Sequence, residues 1–110
     1  MTSDRFRELA LSIPGASESA HMNHPDFRIE GKTFATLGAP DENWAMVKLT
    51  PEQQGLFMER APDVFRPCAG VGGQRGATNV HLASARTSVV QLALEAARRN
   101  IAGGKGGPEE

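Results

Sequence analysis

The sequence is poor in the residues that most often announce chemistry or compartment. Cys68 is the only cysteine among 110 residues, so no intrachain disulfide can form and a reducing cytoplasm is the expected setting. Tyrosine is absent and Trp44 is the only tryptophan, which leaves five phenylalanines to supply the large rings of a core. No stretch approaches the roughly 18 consecutive apolar residues of a membrane span. The N-terminus does not read as a signal peptide, because Asp4, Arg5, Arg7 and Glu8 interrupt its apolar pattern. A charge excess is missing too: 12 basic residues stand against 13 acidic ones, a net charge of −1. Nucleic-acid binding through bulk charge is therefore unsupported, and only a local basic patch would serve.

What is present fits one small domain with a single core. Phe6, Leu9, Ala10 and Ile13 fall on one face of a helix. Thr2 or Ser3 can cap it, Asp4 suits its first turn, and Pro14-Gly15 ends it. From Ser17 to Leu49 the apolar period shortens to two. Strands are expected over 18–22, 26–30, 33–38 and 44–49, with Gly31 and the 39–43 loop as turns. Thr50-Pro51-Glu52-Gln53 then opens a second helix: Thr50 caps, Pro51 takes the first helical position, and Gln53 completes a capping box. Ala61-Pro62 closes it.

The segment CAGVGGQRGA after Pro67 is too glycine-rich for regular structure. A strand over 78–82 follows, and Ser84 is expected to cap a last helix whose stripe is Val90, Leu94, Ala97 and Ile101. Residues 1–102 should form the domain. Residues 103–110, GGKGGPEE, have nothing to bury and should be disordered.

This order predicts an antiparallel α+β fold, with the N- and C-terminal helices on one sheet face and the other face open to water. Alternation sorts the side chains. Phe27, Ile29, Ala45, Val47, Leu49, Val80 and Leu82 should face the core, while Arg28, Trp44, Met46, Lys48, Asn79 and His81 face out. A cationic surface carrying a flat aromatic can hold a base, a phosphate or a carboxylate. The plainer alternative is a solvated face on which Trp44, at a strand start, covers a loop.

Other constellations carry less. His21 and His24 look like a metal pair, but residues three apart on a strand face opposite sides unless a turn separates them. No carboxylate or cysteine nearby completes a ligand set, so no metal and no cofactor are expected. GVGGQRG (70–76) fits neither the dinucleotide pattern nor the lysine-ending phosphate loop, and it leads into a strand. Arg66 and Arg75 flank it and could still meet an anion; a flexible connector is the simpler reading. Nothing local lowers the pKa of Cys68. No nucleophile elbow and no carboxylate pair stand out, so an enzyme is not expected.

The succession LALSIPG, HPDFRIEGKTFATL, VKLTPEQQ, PDVFRP and GATNVHL resembles the MmcQ/YjbR family. The resemblance implies a frataxin-like arrangement, a curved antiparallel sheet backed by two helices. It also implies a role often labelled DNA-binding, with no catalytic set attached. Relatives usually read GAWGxxGWT where this chain has GVGGQRGAT, so Gly72 and Ala77 stand at two tryptophan positions, and Ala97 at a third. Their loss either removes a shared pocket beside the glycine loop or marks a repacked edge. Frataxin-like iron binding would need an acidic ridge, but the first helix offers only Asp4 and Glu8, interleaved with Arg5 and Arg7.

The leading expectation is a non-enzymatic module in which Arg28, Lys32, Lys48, Arg66, Arg75 and His81 contact a nucleic acid or other anion and Trp44 stacks. A module that binds a protein partner through Trp44 and Met46, or through a sheet edge, is the alternative.

Overall fold

The structure, a computed structural model, describes residues 1–102; the disorder expected for 103–110 lies outside the described residues. Helix α1 (Ser3–Leu11) is followed by strands β1 (Ala16–His21), β2 (His24–Ile29), β3 (Lys32–Leu37) and β4 (Trp44–Lys48). Helix α2 (Pro51–Arg60), strand β5 (Phe65–Pro67), helix α3 (Gly70–Gln74), strand β6 (Ala77–His81) and helix α4 (Thr87–Ala102) follow among the described residues. The six strands form one antiparallel sheet in the order β1-β2-β3-β4-β6-β5. The fold is therefore α+β, as the pattern of elements predicts. Among the described residues no helix is long and apolar enough to cross a membrane.

Local chemistry sets the boundaries. Thr2 caps α1 by accepting a hydrogen bond from the Arg5 amide. At α2 the capping box is complete: Thr50 Oγ1 accepts from the Gln53 amide, and Gln53 Oε1 accepts from the Thr50 amide. Two tight turns connect β1 to β2 and β2 to β3. Met22 and Asn23, then Glu30 and Gly31, all take positive φ, the geometry whose twist matches the flanking strands. Between Phe27 and Arg28 the register with β3 shifts and leaves Phe34 without an opposite residue. Phe34 and Ala35 are consequently both buried.

The core lies between the sheet and the helices. Phe6, Phe27, Phe34 and Phe65 are fully buried, and the inward residues of β4 and β6 and the Val90–Leu94–Ala97 stripe of α4 join them. Each buried phenylalanine contributes about 1.5–3 kcal/mol through area removed from water. Helices α1 and α4 touch one another and the sheet, while α2 lies over β5 and β6, its Phe57 ring 5.2 Å from Phe65.

Three expectations are corrected. The glycine-rich segment is not irregular, because Gly70–Gln74 turns into α3. Residues 65–67 add a strand that alternation over so few residues cannot reveal. Ser84 does not cap the last helix: it ends a 3-10 turn (Leu82–Ser84), α4 starts at Thr87, and the Ser84 hydroxyl meets His81 Nδ1 at 2.9 Å.

Candidate ligand-binding face

Strand alternation delivers the outward row as expected. Trp44 and Met46 are half-buried and Lys48 is exposed, whereas Ala45 and Val47 are fully enclosed. Trp44 pairs in register with His81 on β6, and Met46 with Asn79, which in turn pairs with Arg66 on β5. Three adjacent strands thus present one cluster. The Trp44 and His81 rings lie 4.8 Å apart, and the Arg66 guanidinium carbon sits 4.9 Å from the Trp44 ring centroid. Such a cation–π contact at an exposed site contributes about 0.5–1 kcal/mol. The His81 contact with Ser84 steadies the imidazole, which is tilted 49° to the indole.

Arg28 lies on the same face but two strands away, and two of its donors are engaged. Nε and Nη2 each donate at 3.0 Å to the two carboxylate oxygens of Asp26, a bidentate pair. Asp26 is 3% exposed, so Arg28 neutralises a carboxylate that the fold has taken out of water. That hydrogen bonding raises the guanidinium above its already high range, and Arg28 stays charged. Among the described strand residues of the open face, Asp26 is the one carboxylate, which leaves the face locally cationic despite the net charge of −1.

The remaining candidates sit elsewhere. Lys32, Lys48 and Arg75 line a groove of about 1050 Å³ at the sheet end where β4 gives way to α2. Lys48 thus belongs to both regions, about 13 Å along β4 from Trp44 at the ordinary rise per residue. Gly72, Ala77 and Ala97 all line this groove.

The glycine loop does not form a phosphate cradle. Gly73 is buried against the backbone of Cys68, where a Cβ would run into the Cys68 carbonyl oxygen. Gly76 takes φ +112° beside the Leu49 carbonyl. Both glycines answer to close backbone approach. The Gln54 amide then ties α2 to the segment, with Nε2 within 3.1 Å of the Gly73 and Ala77 carbonyls and of Thr78 Oγ1.

Cys68 is half-buried, its thiol donates to Asn79 Oδ1 at 3.1 Å, and burial pushes the thiol above its ordinary pKa. That is the reverse of an activated nucleophile. A turn does separate His21 from His24, and their backbones stand directly opposite one another. Even so, among the described residues no group of three or more metal-ligating side chains gathers. On α1, Asp4 is paired with Arg7 and Glu8 with Arg5, so neither acid forms a bare ridge.

Sequence reading missed the Arg66–Trp44 contact and the Asp26–Arg28 pair. The second left a signal, since residues two apart on a strand share a face. The first left none, because β5 is too short to show a period.

No curated protein matches this chain significantly. In fold it is similar to the crystal structure of the Deinococcus radiodurans protein DR2400, described by the domain model DUF419. The TM-score is 0.75 at 15% identity, covering 96% of this chain and 80% of that one. At that identity the likeness concerns the fold alone. The YjbR family model matches residues 11–99, most of the length, and the chain belongs to the YjbR family.

Proposed function

We propose that this protein is a non-enzymatic cytoplasmic binding module that takes single-stranded nucleic acid on its open sheet face. The observation that supports this reading most is the convergence of Arg66, Trp44 and His81 from three neighbouring strands. Arg66 lies over the indole, so a base takes the ring face as the guanidinium swings onto the attached phosphate, with His81 alongside. Lys48, further along β4 on the same face, meets the next phosphates. The family's frequent DNA-binding label points the same way, and the raised pKa of Cys68 gives no encouragement to a nucleophilic reading.

The test is the double variant Arg66→Ala/Lys48→Ala. Both side chains are exposed, so the fold should tolerate it. Arg28 is spared because its removal would uncover buried Asp26. Each lost phosphate contact on a single strand lowers the slope of log affinity on log salt by about 0.7, so the pair should remove about 1.4. An unchanged slope and affinity would exclude this face.

A second reading, protein recognition, draws on β1. This six-residue strand forms one sheet edge, paired on one side with β2. Edge pairing with a partner strand would be insensitive to salt, which separates the two readings.

A further inference from the structure

The groove at the end of the sheet has a chemistry of its own, independent of the stacking cluster. Its floor is apolar: Leu49, Ala97 and Ile101 contribute side chains from β4's exit and from α4. It is roomy because small residues meet there. A Cβ placed on Gly72 would lie 3.8 Å from that of Ala77, the one described atom within 4 Å outside its own helix backbone and chain neighbours. Its volume of about 1050 Å³ suits a small molecule. The charged lining is unequal. Among the described residues, Lys48 and Arg75, both exposed at the rim, stand against one lining carboxylate, Glu52.

From this combination we infer that the groove binds a small amphiphilic organic anion, its apolar body on Leu49, Ala97 and Ile101 and its charged head between Lys48 and Arg75. A neutral molecule of the same shape would leave the rim cations without a counter-charge. A bare inorganic anion would gain nothing from the floor. Affinity therefore requires both parts on one molecule, because apolar area and charge complementarity are satisfied at different ends of the cleft.

The experiment uses the full chain and the fluorescent anion 1-anilinonaphthalene-8-sulfonate, followed by displacement with octanoate, octanol or inorganic phosphate. The probe should bind saturably, and octanoate should displace it at concentrations at least tenfold below those needed of octanol or phosphate. Gly72→Trp, which fills open space on an exposed residue, should abolish the signal. Arg75→Glu should weaken octanoate at least tenfold and leave octanol unchanged, and it serves as the independent variant if the tryptophan impairs folding. Displacement by octanol as effective as by octanoate, or by phosphate alone, would overturn the inference. So would probe binding untouched by either substitution, or a signal that rises only as the protein dimerises, which would give the groove to a second copy.

Discussion

At the scale of single residues, the open face shows how one carboxylate redefines its neighbours. Alternation made Arg28 legible as an outward cation. It could not reveal that Asp26, two residues earlier, is taken down to 3% exposure and engages two of that cation's donors. Burial depends on what crosses over a strand, and that is decided by other segments. Cys68 shows the same limit. Its raised pKa follows from half-burial beside Asn79, which no local pattern encodes. The sign is clear: burial disfavours the thiolate, so the neutral thiol persists to higher pH than in an unfolded chain. Alkylation of Cys68 by iodoacetamide between pH 7 and 9 should be slower in the native protein than in urea, with the gap narrowing as pH rises past the ordinary thiol range. A native rate faster than the unfolded one would mean an activated cysteine and would reopen the catalytic reading.

At the scale of elements, the starts of α1 and α2 were legible because caps are local chemistry, whereas Ser84, a plausible cap by type, ends a 3-10 turn instead. Thr2 and the Thr50–Gln53 box act within a few residues of themselves. Helix α3 was not legible, since three of its five residues are glycine and its intrinsic propensity is poor. What holds it is tertiary: Gly73 against the Cys68 backbone and the Gln54 amide across the Gly73, Ala77 and Thr78 oxygens. The glycines should therefore respond oppositely to alanine. Gly73→Ala overpacks a backbone contact and should cost about 1–3 kcal/mol. Gly72→Ala, on an exposed helical position with room for a methyl, should be neutral or gain about 0.5–1 kcal/mol. Urea denaturation midpoints decide it. Equal effects at the two sites would show that the segment is a loose connector after all.

At the scale of the whole molecule, the sequence made the sheet readable and the sites only half so. The inward and outward rows of β4 and β6 followed from period two. Phe6, Leu9 and Ala10 of α1, together with Val90, Leu94 and Ala97 of α4, closed the core as their spacing required. The convergence of Arg66 on Trp44 passes over β6, the strand between them, and the groove gathers residues from β3, β4, β6, α2, α3 and α4. Neither can be written in a local pattern, because both depend on the crossover that places β6 between β4 and β5. The same crossover produces a locally cationic aromatic face on a molecule of net charge −1.

Trp44 is the only tryptophan, so its fluorescence reports on that face without labelling. The decisive measurement is a titration of the intact protein with short single-stranded and double-stranded DNA at two salt concentrations. A saturable change in Trp44 emission is expected with the single strand, weakening as salt rises, and a smaller response to the duplex, whose bases are already stacked. No change with either form, or a change indifferent to salt, would contradict it and turn attention to a protein partner.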